Sequence, residues 1–380
     1  MTDTNILNKI CVSLICSTPI LVQYATPFKS VAIYDLLLVI FSSICFYGIM
    51  IKGSIERNQL NLFVPFIIYL IIITIFYLDD GIPRLLKAGR LIFYYLFLIF
   101  FVPAFFKSSI TYKYLKALSL FIGLYLILQY ALLFIGFDYL PGYLPGLPLM
   151  REELISHANT GSSDPIFRAR SVLGEPSEIG IVMGLMLFLL VERIRLGVDS
   201  LSQEKWFLGF VIIILLLSRS ATSIGLLCFG LMYLFTRKDL VIYNIILIVS
   251  FLLMLFILRS YVIDLFSMII SRFEIRSGGY AGFSDQVNLK IIFGSGTVGK
   301  EGLIVWGGGV ARLLKFYGFF GLSLFCLPFV LAKRSQFWFF RCIFILLLSF
   351  FTQVPVSSYA LFIFPYIFAY FPSKEIIEGN

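Results

Sequence analysis

Charge is what this chain has least of. Only 13% of its 380 residues are Asp, Glu, Lys or Arg, where a soluble domain carries about 25%. That shortfall excludes an ordinary water-soluble globule, and 60% hydrophobic with 17% aromatic residues points to a bundle solvated largely by lipid. Histidine is scarcer still, with His157 alone. No HxxxH or carboxylate–histidine spacing surrounds it, so a bound metal has no support in the sequence. Six cysteines (Cys11, Cys16, Cys45, Cys228, Cys326 and Cys342) fall in apolar runs without a CxxC pair. Neither a disulfide framework nor a zinc site is expected, and each reads as a small buried hydrophobe. Period-two alternation is missing too. The runs at 62–78, 117–136 and 240–258 are continuously apolar, which excludes a transmembrane barrel and leaves helices to satisfy the backbone in lipid. The first run, 10–25, lacks a small-residue cleavage site and reads as a retained span rather than a leader. Net charge is +9, but the basic residues are scattered among apolar runs, so nucleic-acid binding is a poor explanation.

What is there is a succession of apolar runs. Hydropathy predicts about twelve spans, at 9–25, 31–51, 62–78, 91–106, 117–136, 177–191, 206–219, 222–236, 240–258, 313–332, 336–353 and 358–372. The fold expected is therefore an all-α polytopic membrane protein, a single integral membrane domain over 1–380. Lys52/Arg57, Lys107/Lys113/Lys116, Arg193/Arg195/Lys205, Arg237/Lys238 and Lys333/Arg334 all fall on one side, which the positive-inside rule assigns to the cytoplasm. Both termini then lie inside. Two long loops, 137–176 and 259–312, lie outside. Long loops in a compact chain are usually functional or disordered. Within the second, Val262, Leu265, Met268, Ile269 and Phe273 recur at helical spacing, which predicts an amphipathic helix over 261–275. A glycine-rich stretch, 277–284, follows.

Arginine dominates the outer side. Arg84, Arg90, Arg151, Arg168, Arg170, Arg259, Arg272, Arg276 and Arg312 form a basic face on this map. The bidentate guanidinium fork suits phosphate and carboxylate, so an anionic substrate at the outer leaflet is the leading interpretation. Pairing with loop acids such as Glu152, Glu153, Asp164 and Glu274, or with lipid headgroups, is the alternative.

The densest polar constellation is Arg168-Ala-Arg-Ser-Val-Leu-Gly-Glu-Pro-Ser-Glu178. Pro176 suits the first position of a helix. Glu175 then sits at its cap and Glu178 in its first turn, both stabilised as anions by the helix N-terminus. One reading is a cap with local ion pairs. The other sets an arginine on a phosphate and a carboxylate on a hydroxyl proton. His157 is a further candidate, although a lone loop histidine is often incidental. Asp35, inside the second run, is a functional candidate by default or merely solvated at the interface. Arg341 lies near the inner end of its span and can snorkel. Arg219 sits at the turn between two short spans, where it can join the loop arginines.

These residues resemble a family. The spans, the two outer loops and the segment Arg170-Ser-Val-Leu-Gly-Glu-Pro-Ser-Glu-Ile-Gly180 look like the O-antigen polymerases (Wzy) and the related O-antigen ligases. Leu217-Ser-Arg-Ser-Ala-Thr-Ser-Ile-Gly225 is similar to the serine–arginine turn of those families. Phe293-Gly-Ser-Gly-Thr-Val-Gly299 and Leu313-Leu-Lys-Phe-Tyr-Gly-Phe-Phe-Gly-Leu322 resemble their second-loop exit and the glycine-bearing helix after it. Ligases carry a functional histidine towards the end of the second loop, and 304–315 has none, which favours polymerase. The resemblance implies a GT-C-like fold with large periplasmic loops in the bacterial inner membrane. It implies metal-independent, cofactor-free inverting transfer of a glycan from undecaprenyl pyrophosphate to the terminal hydroxyl of a new lipid-linked repeat unit. A chain-length-regulating co-polymerase is an implied partner, beside membrane lipid. On that basis Arg168, Arg170, Arg272, Arg276 and Arg312 are expected to bind pyrophosphate or glycan, with Arg219, Arg90 and His157 as further binding candidates. Glu175 is the preferred carboxylate and Glu178 the second, beside Arg170. A ligase acting on lipid A-core, or a flippase that makes no bond, would use the same basic face.

Overall fold

The structure is a computed structural model, and it describes residues 2–27, 31–52, 59–76, 82–106, 108–136, 141–144, 146–150, 169–235, 292–294, 309–331 and 338–369. Among them the regular structure is all helical, apart from isolated bridges of Tyr24 with Leu149 and Ala25 with Ala32. The order is α1 (Thr2–Leu21), α2 (Ile33–Lys52), α3 (Val64–Phe76, entered through a 3₁₀ turn at Gln59–Phe63), α4 (Ile82–Phe100), α5 (Val102–Phe105) and α6 (Ser108–Ile135). After the first long loop come α7 (Pro176–Arg195), α8 (Leu201–Leu217) and α9 (Ala221–Phe235). Last are α10 (Gly309–Leu331), α11 (Trp338–Phe351) and α12 (Tyr359–Phe364), which runs into a π turn at Pro365–Ala369. The expected run at 240–258, the amphipathic helix at 261–275 and the glycine-rich stretch at 277–284 lie outside the described residues.

The central helix is α7. Every residue from Ile179 to Glu192 is buried, the mark of a helix packed on all sides. Glycine lets its neighbours in. A Cβ on Gly180 would stand 2.6 Å from Ser223 Oγ, and one on Gly184 would stand 2.5 Å from Leu226 Cδ1. Small residues four apart on one helix allow close backbone approach of this kind. They fix α9 against α7, and α8 and α6 pack beside them.

Two helical segments, Ile110–Ile135 and Arg312–Leu331, are long and apolar enough to cross a membrane. Shorter apolar helices include Ile6–Leu21, Ile33–Phe46, Leu60–Phe76, Ala221–Leu234, Trp338–Phe350 and Tyr359–Ala369. Much apolar surface faces outward, including Phe121, Leu124, Leu128 and Phe134 on α6 and Ile68, Ile72 and Phe76 on α3. Single exposed apolar residues are ordinary, but so many large ones along one helix face are unusual for a soluble monomer.

At α10 the helix breaks. Gly318 has φ 66° and ψ −174°, a conformation open to glycine alone without strain. Gly294 lies against it, so that a Cβ on Gly318 would come within 2.3 Å of Ile292 O. The Tyr69 hydroxyl contacts two carbonyls at this junction, Phe293 O at 2.5 Å and Tyr317 O at 3.0 Å.

Two expectations fail. Arg341 does not snorkel: it is 1% exposed and holds Glu192 by two bonds of 2.9 Å, with a third to Ile367 O at 2.6 Å. An acid 149 positions away supplies the partner that water would otherwise have to. The cysteines are not uniformly buried either. Cys11, Cys16 and Cys45 are, but Cys228 and Cys326 face outward, because an apolar run does not say which face of its helix each residue takes.

Candidate functional site

Helix direction alternates, so the starts of α2, α4, α7, α9 and α10 share one end of the bundle with the finishes of α1, α6, α8 and α11. Short backbone pairings sew this end, the top, together. Ala25 N donates to Pro148 O (2.8 Å), Met150 N to Gln23 O (2.8 Å) and Gly174 N to Gly142 O (3.0 Å). The Tyr24 hydroxyl accepts from Leu144 N at 2.6 Å.

The entry to α7 is built on buried anchors. Ala169, Val172 and Leu173 are fully buried, and between them Ser171 takes a left-handed φ of 54°. Non-glycine residues rarely adopt that region. Here α6 holds it: Ser171 N donates to Gln129 Oε1 (2.7 Å) and Ser171 Oγ to Ile122 O (2.7 Å). The flanking side chains are thereby presented from a rigid base. Arg170 lies half-buried over Gly142, where an added Cβ would stand 2.9 Å from Arg170 Cβ.

As the spacing predicts, α7 begins at Pro176 with Glu175 at its cap and Glu178 in its first turn. Glu175 is exposed and accepts from Ser177 Oγ at 3.2 Å. Glu178 is half-buried and accepts from Gln23 Nε2 at 3.0 Å. Both stand at the positive end of the α7 dipole.

Arg219 stands in the α8–α9 turn, beside the same corner. Ser223, one turn along α9, is the residue that meets Gly180, so this turn sits beside the first turn of α7. Tyr130 Oη on Leu217 O (2.8 Å) and Ser218 Oγ on Ser223 Oγ (2.6 Å) fix it. Arg219 has φ 48°. It and Ser171 are the non-glycine residues with positive φ among those described, and both flank the start of α7. Strained backbone of this kind gathers at functional sites.

Arg90 and Arg312 share the top but have other company. Arg90 Nε is 3.0 Å from Asp35 Oδ2, and the carboxylate also takes the Tyr94 hydroxyl and Ala32 N. Asp35 is therefore not merely solvated: it is 8% exposed and neutralised by an arginine from α4, which hydropathy cannot reveal. Arg312 is in the first turn of α10, whose Gly309 N donates to Thr352 O at 2.5 Å. The turn at 352–358 reaches into the bundle as far as Tyr95, whose hydroxyl donates to Pro355 O at 2.9 Å. Arg168, His157, Arg272 and Arg276 lie outside the described residues. Among the described residues no group of three histidine, cysteine or carboxylate side chains is placed to hold a metal ion.

Gln23, Tyr24 and Gln129 were missed by reading the sequence, although a polar residue at the end of an apolar run is a visible flag. Comparison with known proteins returns nothing: no family model, no curated protein and no solved structure matches this chain.

Proposed function

We propose that the chain is an integral membrane glycosyltransferase that joins undecaprenyl-pyrophosphate-linked repeat units, an O-antigen polymerase in type. The supporting observation is the corner at the start of a buried helix, where the backbone places Arg170, Glu175 and Glu178 in succession and brings the turn that carries Arg219 alongside. Sidedness supports it too. Lys116, Arg193, Arg195 and Lys205 collect at the opposite end of the bundle, which positive-inside bias assigns to the cytoplasm. The top then faces the periplasm of a bacterial inner membrane, where lipid-linked glycan is assembled.

In the reaction proposed, a terminal hydroxyl of the acceptor repeat attacks the anomeric carbon of the donor glycan from the face opposite the pyrophosphate. The new C–O bond forms as the bond to pyrophosphate breaks. The electron pair leaves on the phosphate oxygen, the proton passes to a carboxylate, and the anomeric configuration inverts. Arg170 and Arg219 would stabilise charge growing on the leaving group. Glu175 or Glu178 would take the proton. A positioned donor for developing charge contributes roughly 10²–10³ in rate. Purified protein given lipid-linked repeat units should therefore make a ladder of polymers, and Arg170→Ala should slow it by about that factor. Undiminished polymer from Arg170→Ala in normally folded protein sinks the assignment.

A further inference from the structure

Gln23, the second residue after α1 ends, has an amide whose orientation is decided by its neighbours. Its Nε2 is 3.2 Å from Pro19 O and 3.0 Å from Glu178 Oε2. Both are acceptors, so the NH₂ must face them, and the flipped amide would set oxygen against oxygen twice. Both N–H donors are then committed. Oε1 is left buried without a donor on a residue 7% exposed. Leaving such an acceptor unmet costs about 1–3 kcal/mol. The group that lacks a donor is thus covalently tied to the group that grips Glu178, at the first turn of a 20-residue helix.

We infer that Gln23 is the saccharide-positioning residue of this site: Nε2 fixes the Glu178 carboxylate, and Oε1 receives an O–H or N–H of the acceptor sugar whose reacting hydroxyl meets Glu178. The inference rests on the glycosyl-transfer reading above and adds to it a division of labour. Glu178, held from α1 and half-buried, is the carboxylate set against the acceptor. Glu175, exposed at the cap, serves the helix end. A monosaccharide with two neighbouring donors, a hydroxyl pair or a hydroxyl beside an acetamido group, matches a carboxylate and an amide oxygen side by side. The charged residues on the elements that pack around Glu178, among the described residues, are Arg170 and Glu175 on its own approach and Arg219 on the α8–α9 turn. The upper part of α6 brings Tyr125, Gln129 and Tyr130.

The test uses the full-length protein in detergent or nanodiscs with a lipid-linked repeat unit as probe. Binding is read by thermal shift and polymer by gel. Gln23→Met keeps the length of the side chain and removes both polar functions. It should weaken binding of the repeat unit roughly tenfold. It should also move the acidic limb of the pH–rate profile upward, because Glu178 loses a donor that favours its charged form. Gln23→Glu, nearly isosteric, guards against a packing artefact and should shift that limb further, since a second carboxylate then faces Glu178. Unchanged binding and an unmoved limb in both variants, with wild-type polymer intact, overturn this inference alone. Wild-type protein that binds no lipid-linked saccharide overturns it together with the function proposed above. Binding without polymer by the wild type, lost in Gln23→Met, keeps the saccharide site and removes only the polymerase reading.

Discussion

At the scale of single residues, Glu192 and Arg341 show how an apolar bundle tolerates charge. Both are about 1% exposed, and their mutual bonds are two-pronged, with Ile367 O taking a further donor. Removing one partner strands the other. Arg341→Met should lower stability by about 3–5 kcal/mol, while the double replacement of Glu192 and Arg341 by methionine should recover most of it. Thermal melting in detergent reads both, and equal losses from single and double variants would contradict the pairing. Neither this pair nor Arg90 with Asp35 was legible beforehand. The sequence displays each charge and its run, but a partner 149 positions away is chosen by tertiary packing. The constellation from Arg170 to Glu178 was legible, since Pro176 and its flanking acids mark a helix start by local chemistry alone. Gln23 was not, because its meaning arises only when α1 meets α7.

At the scale of elements, the apolar runs foretold the helices closely in their middles and poorly at their ends. The run at 117–136 is part of α6, which starts at Ser108 and takes in Lys113 and Lys116. Hydropathy sees no helix in that turn, yet Lys116 Nζ finds Glu204 at 2.8 Å and the backbone continues. Within the run at 358–372, the described residues to Ala369 form a short α-helix and a π turn. The glycines of the second-loop exit and of α10 were conspicuous in sequence, and their meeting was not. Gly294 and Gly318 interlock where α10 breaks, and Tyr69 fastens the junction. Gly318→Ala would press a methyl group into the backbone of Ile292 at a left-handed position, and it should prevent the break from forming. Tyr69→Phe should cost about 1–3 kcal/mol by leaving carbonyls without a donor. Limited proteolysis and melting of the two variants check this, with Gly318→Ala expected to be the worse. Wild-type behaviour of Gly318→Ala would mean the break is dispensable.

At the scale of the molecule, the all-helical class was readable from continuous apolar runs, since nothing but a helix closes its own hydrogen bonds over such a length. The proposed sidedness rests on the clustering of Lys and Arg in short connections. What the runs could not give is the convergence of α1, α6, α7 and the α8–α9 turn on one corner. That depends on which helix faces which, and it is decided by small features such as Gly180 against Ser223. The corner is the centre of the account: two arginines and two carboxylates on strained, well-supported backbone, proposed to lengthen a lipid-linked glycan. The most direct measurement is a lipopolysaccharide gel from a strain lacking the gene, beside strains complemented with wild type and with Glu178→Gln. Lipid A-core bearing a single repeat unit is expected in the deletion and in Glu178→Gln, and a full ladder with wild type. Bare core with lipid-linked polymer accumulating would instead identify a ligase, and bare core with short lipid-linked units retained inside would identify a flippase. Either result would contradict the polymerase assignment.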